Sequence, residues 1–179
     1  IRFALNNVST SGIVDNVELA VSVAFGRRVG TATINEFDDA SLERVVRRAE
    51  DLAKLAPENP EFMPAIGKQS YVATSTHSAA TAAITPEYRA QVAASSIAPC
   101  REAGLVAAGF LEDSRSFTAI ANSNGNFGYQ TATSADYTCT VRTGDGRGSG
   151  WVGRNVTDIS QFDAGRDIAV AIRKARESA

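Results

Sequence analysis

At 179 residues the chain is long enough for one domain, or for two small sub-domains sharing a core, with no need of a disulfide or metal staple. Its 44% apolar and 21% charged composition is that of a globular protein, and a net charge of −2 argues against a general nucleic-acid binder. No apolar run reaches the ~20 residues of a membrane span, and two cysteines make no disulfide framework but fit a reduced compartment.

The chain opens at Ile1, without methionine and inside a strand-like run, so the first residues of the gene product are expected to be missing. Nothing resembles a signal peptide. The sequons at Asn7 and Asn155 would matter only in a glycosylating secretory pathway. Arg2 to about Ser9 reads as a polar strand. Val17, Leu19, Val21, Val23 and Phe25 then alternate with polar or small residues, the period of a half-buried strand. Gly26-Arg27-Arg28 makes a tight turn into a second strand from Val29 to about Ile34. Asp38 and Asp39 offer N-caps to a helix whose apolar positions are Leu42, Val45, Val46, Ala49, Leu52 and Ala53. Pro57 and Pro60 stop it.

Residues 58–85 lack periodicity and read as a long connection, with one short strand around Tyr71. Thr85-Pro86-Glu87 opens a second helix, Pro99 should kink or interrupt it, and Gly104 closes it. Strand-like runs follow at 105–112 and 116–122, and Ser123-Asn124-Gly125-Asn126 is an Asn-Gly hairpin turn. Tyr137, Cys139 and Val141 alternate with Thr138, Thr140 and Arg142. A glycine-rich turn then precedes Trp151, and Asp158 or Asp163 starts a helix striped by Ile168, Ala171, Ile172 and Ala175.

The order strand–strand–strand–helix thus occurs twice, and Arg47-Arg48-Ala49 matches Arg173-Lys174-Ala175. The expected fold class is α+β: mostly antiparallel sheet with helices, built from a duplicated unit. The expected divisions are 1–57 for the first strand–helix unit, 58–104 for the connection and helix, and 105–179 for the second unit, together one amino-terminal domain.

Each candidate for chemistry has a stronger structural reading. His77 is the sole histidine, lies in the irregular connection and is followed by Ser78, not by a second ligand. Cys100 and Cys139 have no nearby histidine to activate them and read as buried small hydrophobes. Gly148-Ser149-Gly150-Trp151-Val152-Gly153 satisfies G-x-G-x-x-G. With Gly144 and Gly146, however, it maps onto a hairpin, not onto the strand-to-helix junction that cradles phosphate. Arg27-Arg28 and the Arg44, Arg47, Arg48 group are interleaved with acids, and no aromatic residues support nucleic-acid binding. No catalytic, cofactor-binding or metal-binding residue is therefore assigned. A strand edge that could take an extended peptide is the remaining option.

Several stretches resemble one family. Arg2-Phe3-Ala4-Leu5-Asn6-Asn7, Val21-Ser22-Val23 and Gly26-Arg27-Arg28-Val29-Gly30-Thr31-Ala32-Thr33 are similar to the amino-terminal domain of TldD/PmbA proteins. So are the helix exit Ala53 to Pro60, the segment Ala121-Asn122-Ser123-Asn124-Gly125, and the closing Ile172-Arg173-Lys174-Ala175. The resemblance implies a cytoplasmic zinc metallopeptidase, also described as a modulator of DNA gyrase, that pairs as a homodimer or heterodimer. It implies an unfolded peptide as substrate, and a zinc motif in a carboxy-terminal domain beyond Ala179, where paired relatives lacking the motif are inactive partners. No cofactor is expected in this fragment itself. A non-enzymatic peptide- or protein-binding module is the alternative, and direct action on gyrase or DNA ranks last.

Overall fold

A computed structural model describes residues 1–179. The elements are β1 (Arg2–Ala4), β2 (Asn7–Thr10), β3 (Leu19–Phe25), β4 (Arg28–Ile34), α1 (Asp39–Leu55), α2 (Ala79–Ala82), α3 (Pro86–Glu102), β5 (Leu105–Ala121), β6 (Phe127–Thr143), β7 (Ser149–Val156), a 3-10 turn (Ile159–Gln161) and α4 (Ala164–Glu177). Every strand pairing is antiparallel, and with the helices this is an α+β fold. Two compact units result, one of Ile1–Gly12 with Gly67–Ala179, the other of Ile13–Ile66. They divide near residues 12 and 66, whereas the sequence places its breaks after 57 and 104.

In the larger unit the sheet order is β2-β1-β5-β6-β7. Odd-numbered residues of β5 and β6 form its inner face. Leu105, Ala107, Leu111, Ala135, Tyr137, Cys139 and Val141 are buried, and most join one core with Val92, Ala93, Ile97 and Cys100 of α3 and Ile168, Ala171 and Ala175 of α4. Tyr137 packs against Phe162 with ring centroids 4.9 Å apart. Its hydroxyl reaches the Ser96 hydroxyl at 2.8 Å, and Ser96 also donates to the Val92 carbonyl, so the buried polar pair is satisfied. Arg89 of α3 and Asp113 of β5 add a two-pronged ion pair at 2.5 and 2.9 Å.

The polar run at the chain's start is split. Leu5 and Asn6 take positive φ of 50° and 58°, reversing β1 into β2. This two-residue hairpin turn favours asparagine. Asn6 is held from outside: its side chain donates to the Leu105 carbonyl and accepts from the Ala107 N–H, so β5 anchors the turn. The runs at 105–112 and 116–122 are in turn one strand, because the register with β6 continues unbroken through Asp113-Ser114-Arg115. Pro99 does not break α3, which runs on to Glu102. The carbonyl deprived of its donor belongs to Ser95, which is exposed and can be hydrated. No strand forms around Tyr71.

The smaller unit is the β3–β4 hairpin with α1 on one face. Ala32, Val45 and Ala49 are its buried core, with Leu19, Val21, Val23 and Ile34 packed against them. Asp38 caps α1 by accepting from the Ser41 N–H at 3.0 Å, and hydrogen bonding from the Ser41 side chain and N–H lowers its carboxyl from the ordinary aspartate value. Arg27 binds the Asn59 and Pro60 carbonyls and so ties the segment after α1 to the β3–β4 turn.

The repeat is visible as β3–β4–α1 against β6–β7–α4. Gly26 and Gly146 both turn with positive φ. Gly30 faces Val23 across its hairpin, as Gly150 faces Val141. A Cβ at Gly30 would strike the Ala49 carbonyl and the Ala53 N–H; at Gly150 it would strike the Ala171 carbonyl and the Ala175 N–H. Each glycine therefore lets a helix backbone rest on its strand. Ala49 is thus equivalent to Ala171, one turn away from the alignment suggested by Arg47-Arg48-Ala49 and Arg173-Lys174-Ala175. The third strand of the first expected unit is absent from this arrangement, because β1 pairs with β5.

Candidate functional site

The helices cover only part of the β5–β6 ladder. Beyond Asp113 the hairpin continues as an arm whose residues 114–121 are exposed. Alternation still places Phe127, Tyr129 and Thr131 on the face that carries Tyr137 lower down. Phe117 and Tyr129 stack at 6.2 Å between centroids.

The arm ends at residues 122–126, where Asn122 organises the turn. Its side chain accepts from the N–H groups of Asn124 and Asn126, and Gly125 takes φ +77°. Asn126 is buried, and its side-chain oxygen accepts from the Gln69 N–H at 3.1 Å and the Tyr71 hydroxyl at 2.9 Å. At the arm's base the connection is pinned again. The Thr133 N–H donates to the Thr76 carbonyl, the Thr76 hydroxyl to the Thr131 carbonyl, and the Ser78 N–H to the Thr133 hydroxyl.

Between these pins residues 71–75 make no main-chain bond to β6. They leave a groove of about 760 Å³ lined by Tyr71 to Thr74, His77, Thr118, Ile120 and Phe127 to Thr131. One wall is the edge of β6 itself, since β7 pairs only with residues 135–142 of that strand. Gly128 has no side chain, so the Tyr71 ring lies over it; a Cβ there would stand 3.3 Å from the ring and 3.2 Å from Ile120. Tyr71, Ile120, Phe127 and Tyr129 are each at least half exposed.

The residues singled out from the sequence do not converge on this groove, except for His77, which is exposed at its rim. Cys100 and Cys139 lie fully buried in the larger core. Burial pushes their thiols up to about 12 and about 11, the opposite of nucleophilic activation. The glycine cluster spans the β6–β7 turn and β7, where Gly150 seats α4. Among the basic residues, Arg44 pairs with Glu36 at 3.0 Å and Arg47 with Glu43 and Glu50. No three His, Cys, Asp or Glu side chains stand together as a metal site, so the donor set of this chain does not fit a zinc ion. Sequence reasoning passed over Phe117, Ile120, Phe127 and Tyr129. Their signal was available as aromatic and β-branched residues continuing the β5 and β6 alternation past the last helix-covered position.

Residues 74–179 match the PmbA/TldA metallopeptidase central domain, and residues 1–53 match the PmbA/TldA metallopeptidase domain 1. The fold is similar to that of TldE from Thermococcus kodakarensis, with a TM-score of 0.85 at 16% identity over 98% of this chain. A candidate modulator of a DNA gyrase from Thermotoga maritima gives a TM-score of 0.86 at 12% identity over 98% of this chain. A candidate gyrase modulator from Bacteroides thetaiotaomicron gives 0.71 at 15% over 89%. This chain spans 41%, 40% and 39% of those three chains. No curated protein sequence matches it.

Proposed function

The chain belongs to the PmbA/TldA metallopeptidase family, and from that premise we propose that it is the peptide-receiving part of a zinc peptidase acting on unfolded substrates. The observation that carries the reading is the family match over both of its segments, 1–53 and 74–179. The groove beside β6 supports it, because an exposed strand edge recognises main chain, and only unfolded substrates offer extended main chain. Zinc in this reading is held by residues outside the chain, where it would polarise a peptide carbonyl and activate water. No step runs through His77 or the cysteines. The working assembly is a homodimer, or a heterodimer with a related subunit, in the cytoplasm.

The decisive measurement is hydrolysis of a reduced, unfolded polypeptide by the whole protein containing this chain, before and after zinc removal. Chelator-sensitive cleavage restored by zinc is expected, with the folded form of the same substrate spared. Binding of the unfolded polypeptide with no cleavage under any metal condition would replace this reading with a non-enzymatic binding module.

A further inference from the structure

We propose that the free edge of β6 at Phe127–Thr131 is a strand acceptor, taking an uncharged extended segment of another polypeptide as an extra strand in the groove beneath residues 71–75. The proposal deepens the reading above and rests on it only for the source of the segment.

The direction of the main-chain groups is the first argument. In an antiparallel ladder alternate residues turn both N–H and C=O toward one neighbour. The Thr133 N–H and the Thr131 carbonyl point away from β5 toward Thr76. Phe127, Tyr129 and Thr131 share that parity, so their main-chain groups face the groove. The N–H and C=O of Tyr129 and the N–H of Thr131 take no partner within the chain.

Such an edge is ordinarily shielded by lysine, proline, a bulge or a covering segment. Here the ladder from Phe117 to Thr131 contains no lysine, proline or register shift. The one segment in position to cover the edge is tied to it at Asn126 and again at Thr131 and Thr133, and between those ties residues 71–75 make no main-chain bond to β6. Phe127 to Gln130 and the N–H of Thr131, roughly 15 Å of strand, remain open there.

The lining then selects the occupant. It contains no Asp, Glu, Lys or Arg, so a charged side chain would lose hydration there without gaining a partner. Side chains of an added strand alternate between two uncharged surfaces: one carries Phe127, Tyr129 and Thr131, the other Ile120 and Tyr71 beside Thr118 and Gln130. Main-chain bonds provide affinity without a sequence requirement, and the two surfaces favour uncharged residues at alternate positions.

The test uses the chain Ile1–Ala179 labelled with nitrogen-15 and the peptide acetyl-Thr-Val-Thr-Val-Thr-amide. Two further probes carry N-methyl groups at alternate residues, one in each phase, so that one of them must block the pairing face. The plain peptide is expected to shift the amides of Phe127, Tyr129 and Thr131 and of residues 71–76. It should also slow hydrogen exchange at Tyr129 and Thr131 at least tenfold, and one methylated probe should bind at least tenfold more weakly. Equal binding of all three peptides, or shifts located elsewhere, would overturn the proposal. Tyr129 and Thr131 amides already protected without peptide would overturn it in favour of closure by residues 71–75. Protection that grows with protein concentration would instead make a second copy the occupant. Because the probes leave the chain unaltered, misfolding of a variant does not enter. Hydrolysis and strand pairing are read separately, so failure of either leaves the other result standing.

Discussion

The hairpin–helix group β3–β4–α1 and its counterpart β6–β7–α4 share a backbone plan but hold it together differently. Both turn at a positive-φ glycine, both cap the helix with an aspartate, and both press a helix onto a strand glycine. One turn before the first contact alanine, the smaller group buries Val45, and on the neighbouring strand Ile34 packs against that cluster. The equivalent positions in the larger group are Asp167, fully buried, and Arg154, which grips it at 2.6 and 2.9 Å. The same geometric slot is thus filled by an apolar contact in one copy and an ion pair in the other. Backbone proximity is what the repeat preserves; the chemistry in the slot is free to change.

The largest expected effect comes from breaking the ion pair on one side. Asp167→Ala leaves Arg154 without its partner and should cost about 3 kcal/mol, read as a lowered urea midpoint of Trp151 fluorescence. Arg154 is half exposed and can rehydrate, which keeps the figure at the low end. Converting the slot to its counterpart's chemistry, with Arg154→Ile and Asp167→Val together, should instead fall within about 1 kcal/mol of the parent. A double variant as damaged as the single one would show that the two slots are not equivalent.

Next come the glycines. Gly150→Ala and Gly30→Ala each put a Cβ against helix backbone, which cannot rotate away as a side chain can. Each should cost about 2 kcal/mol. Amide exchange should place the damage in α4 and β7 for the first and in α1 and β4 for the second. The test of the repeat is whether the two losses are similar.

Alkaline pH separates the groups, because both cysteines and all four tyrosines lie outside residues 13–66. The folded thiols of Cys100 and Cys139 ionise at about 12 and about 11, pushed up by burial from an ordinary value of 9.0. Above pH 9 the unfolded chain therefore releases protons that the folded one retains, and stability falls with rising pH. The stabilisation is complete below pH 9 and is lost as pH climbs through 11 and 12. Trp151 should report a lower urea midpoint at pH 10 than at pH 8, with a shallower drop in a Cys100→Ala, Cys139→Ala variant. The smallest effect is in the caps: Asp38→Ala and Asp163→Ala each lose one bond of 3.0 Å to a helix N–H and should each cost about 1 kcal/mol. A loss of that size is more damaging in the group with three buried core residues, so α1 should fray before α4 does.

Local signals were reliable where the decisive contact was near in sequence. Asp38, Thr85-Pro86, Gly104 and the Asn-Gly turn all act within four residues of themselves, and each appears in the structure where the chain places it. The site was legible only in part. Tyr71 and the β6 alternation stood out in the sequence, but nothing local says that the two face each other across a groove. The residues around Tyr71 suit a strand, yet strands exist only as pairs. Bonds of Asn126 with Tyr71 and of Thr76 with Thr131, each spanning 55 residues, fix this segment beside the edge through side chains, not through a strand ladder.

What the sequence determined by itself was the α+β class, the three long helices with their caps, the alternating strands and the family, while the short α2 inside the connection was not legible. These depend on periodicity and on residue types acting over a few positions. Tertiary structure alone decided that β1 belongs with β5, that Ala49 is the counterpart of Ala171, and that β6 keeps a bare edge. Each is a pairing between distant segments, chosen by which backbones can approach and which hydrogen bonds are left over, and no single stretch of residues carries that information.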